Sequence, residues 1–299
     1  MNKIVGPIKS TGKSRKKSVT GEYIHGDSRK MLDTLILKKR KFQLIMTSPP
    51  YNMDKEYEKS QPLEKYSQEI EVVIKKLSTL LDAKGSICWQ VGNYIDPKTK
   101  EIIPLDIFYH ELFKKQGFIL RNRIIWHFES GLHASNRFSG RYETIMWYTK
   151  SDNYIFNLDS VRIPSKYPGK THYKGLKKGQ ISGNPRGKNP SDIWKIIQDD
   201  WDKEIWDIPN VKANHKEKTI HPCQYPVELV ERCVLALTNK NDYVLDPYAG
   251  VGSTIIASIK NDRNAIGIEK YKKYINLGHK RIEAFKQKHL KLRELGTPV

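Results

Sequence analysis

Two short segments hold residue types that chemistry could use. The first is Asp246-Pro247-Tyr248-Ala249-Gly250-Val251-Gly252-Ser253-Thr254, which follows the apolar pair Val244-Leu245. The carboxylate thus stands at a strand tip, and the glycines form a turn that opens a helix. Glycines there let the backbone approach a bound molecule closely. A second apolar run, Ala265–Ile268, ends in Glu269, 19 residues after Gly250. An acid at that distance is placed to accept hydrogen bonds from ribose hydroxyls. A dinucleotide fingerprint needs a third glycine where Ile255 stands, and a triphosphate loop needs a lysine between Gly252 and Ser253. Asp246 would repel a phosphate but could accept hydrogen bonds from a cationic ammonium group. S-adenosylmethionine offers an ammonium group and a ribose and has no phosphate. Its sulfonium carries its own leaving group, so no metal is required. His133 and His221 have no second ligand at zinc spacing.

The second segment is Thr47-Ser48-Pro49-Pro50-Tyr51-Asn52, at the end of the apolar run Phe42–Met46. Two prolines stop a sheet ladder and leave carbonyls without ladder partners. Ser48 offers a hydroxyl acceptor and Tyr51 a π-face on which a base could stack. These groups suit an exocyclic amine, whose lone pair is delocalised into its ring. Hydrogen bonds from its two protons to Ser48 Oγ and the Pro49 carbonyl would favour a pyramidal nitrogen aimed at a methyl donor. Ser48 is too weak a base to take a full proton near neutral pH.

The elements that must position these segments alternate in type. Apolar runs at Tyr23–Gly26, Phe42–Met46, Ser86–Val91, Phe118–Trp126, Thr144–Tyr148, Tyr243–Leu245 and Ala265–Ile268 read as strands. Between them, helical spacing runs over Leu63–Leu81, Leu105–Lys115, Val227–Leu237 and Thr254–Lys260, with a final helix from Tyr271. The fold class is therefore α/β: a doubly wound, mostly parallel sheet with helices on both faces. Ligands of such sheets bind where the strand order reverses, which would bring Ser48 and Asp246 into one cleft. Trp194, Trp201 and Trp206 recur at helical distances and read as core or docking residues.

With 53 Lys+Arg against 33 Asp+Glu, the 299-residue chain carries a net charge of +20, which calls for a polyanionic partner. No run of apolar residues is long enough to span a membrane. Three cysteines without a C-x-x-C pair fit a reducing compartment, here the cytoplasm. Residues 1–20 read as a basic flexible arm. From Arg162 to Lys188 the chain has no acid and carries Lys166, Lys170, Lys174, Lys177, Lys178, Arg186 and Lys188 among Gly, Pro and Ser. A long irregular segment of that kind inside a domain is functional or disordered. Arg137 and Arg141, in or beside the loop 130–140, are further candidates for phosphate contact.

The glycine turn resembles the cofactor motif of the DNA amino-methyltransferases, and Ser48-Pro49-Pro50-Tyr51 resembles their catalytic motif. Catalytic motif first and cofactor motif last is the circularly permuted order of the beta class. His221-Pro222-Cys223-Gln224-Tyr225-Pro226 is similar to a segment that precedes a helix over the methionine end of the cofactor. Gly26-Asp27 is similar to an element near the adenine. Tyr225 stands where the family usually has Lys, and Tyr248 where it usually has Phe. The resemblance implies a Rossmann-like methyltransferase fold with a catalytic half over 21–150, a target-recognition insertion over 151–204 and a cofactor-binding half over 205–299. It implies S-adenosylmethionine as donor, held by Asp27, His221, Gln224, Asp246, Pro247, Tyr248, Gly250, Gly252, Thr254 and Glu269. The acceptor would be an extruded base of double-stranded DNA, with Ser48 favouring N4 of cytosine over the alternative, N6 of adenine. A homodimer and a cognate restriction endonuclease are compatible with it. The rival from another class is a DNA-binding protein without catalysis.

Overall fold

A computed structural model describes residues 18–52, 61–96, 98–128, 133–194, 219, 224–290 and 292. The chain alternates from its first element: β1 (Gly21–His25), α1 (Ser28–Leu37), β2 (Phe42–Thr47), α2 (Leu63–Leu80) and β3 (Leu81–Val91). A small hairpin of β4 (Asn93–Ile95) and β5 (Ile102–Pro104) leads into α3 (Leu105–Lys115), β6 (Ile119–His127) and β7 (Tyr142–Thr149). After β8 (Ile193–Trp194) come α4 (Val227–Leu237), β9 (Tyr243–Asp246), α5 (Ser253–Lys260), β10 (Asn264–Glu269) and α6 (Lys272–Lys286).

Eight strands form one sheet in the order β1-β10-β9-β2-β3-β7-β6-β8. From β1 to β3 all neighbours are parallel; β7 runs antiparallel to both β3 and β6. β2 is buried along its whole length, as a strand covered on both faces must be. Its side chains alternate between two cores. Leu44 and Met46 join α4 and α5 on one face, while Ile45 joins α1 and α2 on the other. The helix α2 forms because Tyr66, Ile70, Val73, Ile74, Leu77 and Leu80 recur every three or four residues and all bury against that second core.

The crevice follows from this winding. From β9 the chain crosses through α5 to β10 on one side, and from β2 it crosses through α2 to β3 on the other. Because α5 and α2 lie on opposite faces, a gap opens at the adjoining tips of β9 and β2. β6 runs in the same direction as β2 and β3, so the turn from β6 to β7 emerges at that same rim.

Two expectations need correction. Trp194 lies on the two-residue strand β8, beside β6, rather than on a helix. It packs with Trp126 and Phe128 in the core, while Trp201 and Trp206 fall outside the described residues. The sheet starts at Gly21, yet its hydrogen bonding reaches back to Thr20, the last residue of the segment read as an arm. Thr20 accepts from the Ala265 N–H and donates its own N–H to Asn264 Oδ1, and residues 1–17 fall outside the described residues.

Candidate active site

The tips of β2 and β9 are joined side chain to side chain. Thr47 Oγ1 donates to Asp246 Oδ1 at 2.6 Å, one residue before Ser48 on one strand and at the head of the glycine turn on the other. Asp246 is fully buried, and three more donors fill its carboxylate. The Tyr248 N–H reaches Oδ1 at 3.0 Å, while Tyr225 Oη at 2.8 Å and Thr254 Oγ1 at 2.6 Å reach Oδ2. Burial pushes its pKa up, and these donors pull it back. The reading of Asp246 as an open acceptor for an ammonium group is thereby corrected: its oxygens serve as a hub that locks two strand tips and the approach to α4. Tyr225, which stands where the family usually has Lys, makes its polar contact through its hydroxyl. Burial also raises that phenol far above its ordinary range.

The glycine turn is shaped by what lies beneath it. Gly250 has φ +50° and Gly252 φ +81°, a backbone that favours glycine. A Cβ on Gly252 would clash with Tyr23 Oη, and that hydroxyl donates to the Gly250 carbonyl at 3.2 Å. Ser28 Oγ donates to the Pro247 carbonyl, fixing the start of α1 against the turn. Glu269 stands at the tip of β10. Its Oε2 accepts from the Gly250 N–H at 3.0 Å and its Oε1 from the Tyr271 N–H at 2.7 Å. Burial raises its pKa despite these bonds.

A cavity of about 360 Å³ opens over these tips, within the size range of small-molecule sites. Ser48, Pro49 and Pro50 line it from one side and Tyr248, Gly250 and Glu269 from the other, with Asp27 and Gln224 also on its wall. The catalytic and cofactor segments therefore share one chamber. Asp27 caps α1 by accepting the Arg29 N–H at 3.0 Å, and it grips the Arg29 guanidinium at 3.0 and 2.9 Å. That pairing holds its carboxyl below the usual range. Gln224 accepts from Thr219 Oγ1 at 2.8 Å. Thr254 and Pro247 support the turn from behind, and His221 falls outside the described residues.

Ser48 Oγ lies 3.0 Å from Tyr51 Oη. The Pro50 carbonyl accepts from Tyr66 Oη, whereas no donor among the described residues reaches the Pro49 carbonyl. The Tyr51 ring lies against the Gly92 backbone, beside Glu143 at the start of β7, rather than on the cavity wall. Asn52, at φ +59°, closes the loop: its side chain donates to the Gln61 carbonyl at 2.7 Å and accepts the Gln61 N–H at 2.8 Å. Sequence reasoning missed Arg29, Glu69 and Tyr66, all on the cavity wall. Arg29 bridges Asp27 and Glu69, at 2.8 Å to the latter. Tyr66 sits at an ordinary core spacing on α2, and nothing in that periodicity marks its hydroxyl as used.

The basic residues are not brought to this chamber. Lys166, Lys170, Lys174, Lys177 and Lys178 are exposed on the insertion, and Arg137 is exposed on the β6–β7 turn. Arg141 sits half-buried, 3.3 Å from His133 Nδ1. Arg186 and Lys188 depart from the expectation of a uniform phosphate-facing block. Arg186 pairs with Asp159 at 2.7 Å, and the Lys188 backbone exchanges two hydrogen bonds with Ile163 at the root of the insertion.

A family model described as DNA methylase, of N6 and N4 type, matches residues 42–280. The chain belongs to that family. The methylase is 42% identical over 255 residues to Type II methyltransferase M.BglII of Bacillus subtilis, covering 85% of this chain and 67% of the relative. It is 28% identical over 267 residues to DNA adenine methyltransferase YhdJ of Escherichia coli, covering 87% and 82%. Among solved structures, the cytosine-N4-specific PvuII DNA methyltransferase superposes with a TM-score of 0.64 at 18% identity, over 89% of this chain and 88% of that one. A putative DNA modification methylase from Thermus thermophilus, complexed with S-adenosyl-L-methionine, gives 0.60 at 23% identity, over 92% and 100%. These structural likenesses extend to the fold. Among the described residues, no helix is long and apolar enough to cross a membrane.

Proposed function

We propose that this methylase transfers a methyl group from S-adenosylmethionine to N4 of a cytosine extruded from double-stranded DNA. The observation that carries the reading is the Thr47–Asp246 hydrogen bond, because it fixes the two motif-bearing strand tips side by side over one cavity. The residues present fit the donor: a glycine turn pressed open by Tyr23, and a buried Glu269 at ribose-binding distance from it. When bound, the donor supplies an activated methyl group on a sulfonium. Glu269 accepts from the ribose hydroxyls on lone pairs left beside its two backbone bonds, and Tyr248 packs against the adenine. Asp246 acts by holding the turn rather than by touching the donor.

On the acceptor side, Ser48 Oγ can take the Tyr51 proton on one lone pair and an amine proton on the other. The Pro49 carbonyl accepts the second amine proton. Both bonds strengthen as the amine becomes cationic, which is where stabilisation accelerates transfer. The amine proton then leaves to solvent. Lysines of the insertion with Arg137 and Arg141 meet phosphates and help offset the few kcal/mol needed to extrude a base.

Ser at the head of the catalytic motif supports cytosine. Adenine N6 is the second reading, supported by the likeness to YhdJ over most of both chains. Methylation of random-sequence DNA, followed by mass spectrometry of nucleosides and mapping of modified positions, decides between them. N4-methylcytosine is the expected product, and N6-methyladenine alone would overturn the choice of base. Failure of the protein to bind S-adenosylmethionine in equilibrium dialysis would overturn the reading as a whole.

A further inference from the structure

The turn between β6 and β7 carries a side chain that the fold does not use. Phe138 is 100% exposed, although a phenylalanine usually contributes a large part of its area to a core. The turn around it is held in shape by its own polar groups. The Ala134 N–H donates to Ser139 Oγ at 3.1 Å, and Arg141 bonds the Gly140 carbonyl at 3.0 Å and contacts His133 at 3.3 Å. Cations flank the ring along the chain, with Arg137 adjacent and Arg141 closing the turn.

Its place in the fold gives it a task. β6 runs parallel to β2, so its turn leaves the sheet at the rim where Ser48 and the glycine turn open. The chain then enters β7 through Glu143, which shares the surface of Gly92 with the Tyr51 ring. β7 lies two strands from β2 in the sheet, on the order of 10 Å at ordinary strand spacing. An apolar ring between two arginines, at the same edge of the sheet on which the chamber opens, matches a polyanion with an apolar interior. That partner is duplex DNA, whose stacked steps accept Phe wedges.

We propose that Phe138 inserts into the base stack at the place vacated by the extruded nucleotide. The inference rests on the methyltransferase reading above. Insertion keeps the neighbouring pairs from closing, so the flipped state persists while Arg137 and Arg141 hold the adjacent phosphates.

The test uses the full chain and a duplex containing the position mapped as methylated. Phe138→Ala should slow methylation of the fully paired duplex by at least about tenfold. The rate should return to near wild type when the target base is mismatched, because the unpairing cost has already been removed. S-adenosylmethionine affinity in dialysis should not change. A wild-type rate on the paired duplex, or the same loss on paired and mismatched DNA, would overturn the proposal. A change in oligomeric state with equal losses on both duplexes would assign Phe138 to a protein interface instead. Mismatch-rescued loss from Leu176→Ala but not from Phe138→Ala would move the wedge to the insertion. An inactive wild-type protein would count against the methyltransferase reading, whereas an active one with an indifferent Phe138 counts only against the wedge.

Discussion

The surroundings of Asp246 and the basic insertion use polar side chains in opposite ways. Around Asp246 polar side chains are turned on the protein itself: four donors on one buried carboxylate, Ser253 Oγ on the Tyr225 carbonyl, and Arg281 on the Val251 carbonyl. In the insertion the lysines face water, and order comes from the backbone. His172 and Gln180 are joined by an N–H to carbonyl bond of 2.9 Å, Ser182 and Lys170 by one of 2.8 Å, and Gly175 and Gly179 turn the chain at φ +80° and +83°. One region uses its charge internally to fix geometry. The other pairs Arg162 and Arg186 with Asp159 at its root, fixes the rest of its geometry through the backbone, and leaves its lysines for a partner. Substitutions should therefore act on stability in the first region and on salt-dependent association in the second.

Asp246→Ala should break this contrast most forcefully. It leaves three hydroxyls and an N–H in a closed space without their acceptor, and losses of that kind run to about 3–5 kcal/mol. Urea unfolding should show the drop, and loss of cofactor binding should accompany it. A variant as stable as the parent would mean that Thr47, Tyr225 and Thr254 find other partners, and that the strand tips are not held through this carboxylate.

Ser48→Ala separates chemistry from architecture. The Ser48 hydroxyl bonds to Tyr51 rather than to the hub. Turnover on DNA should fall on the order of 100-fold, about 2.7 kcal/mol of transition-state stabilisation. Donor affinity and thermal stability should stay near the parent. Equal falls in turnover and donor affinity would remove Ser48 from the amine side.

Glu269 belongs to the buried region yet faces the cavity, so its two pH effects have opposite signs. Its carboxyl is raised above the ordinary 4.5 by burial. The stability gained by protonation is full below that ordinary value and is lost as pH rises through the raised one. Donor binding should move the other way, strengthening as the carboxylate forms. Glu269→Gln should weaken donor binding by about tenfold, or 1.4 kcal/mol, and flatten both profiles. Calorimetric titration across pH 4–8 that shows no difference from the parent would place the ribose elsewhere.

The alternating elements and both motif segments were legible because apolar runs of strand length and helix spacing are local signals. The chamber was legible because parallel strands deliver their C-terminal loops to one rim. The hub was not. An aspartate before a glycine turn reads the same whether it points at a ligand or at Thr47, and the choice depends on which strand becomes its neighbour. Tyr66, Arg29 and Glu69 were hidden for the same reason: each occupies an unremarkable helical position, and only the packing of α1 against α2 turns them to the cavity. Likewise, a basic run shows net charge but not that Arg186 is already claimed by Asp159 from outside the run.

The smallest effect on folding, and the sharpest test of the contrast, belongs to the insertion. Lys174, Lys177 and Lys178 surround Gly175 and Leu176 on an exposed turn whose hydrogen bonds are made by backbone atoms. Replacing all three with Ala should change unfolding free energy by no more than about 0.5 kcal/mol, since surface changes away from caps and pairs rarely do more. Affinity for DNA should nevertheless fall at every sequence. The slope of log affinity against log salt should become shallower by up to about 2.7, at roughly 0.9 for each phosphate released. Filter binding between 50 and 200 mM salt measures it. An unchanged slope would mean that these lysines coat a solvated surface, and that phosphate contact comes from the arginines on the β6–β7 turn.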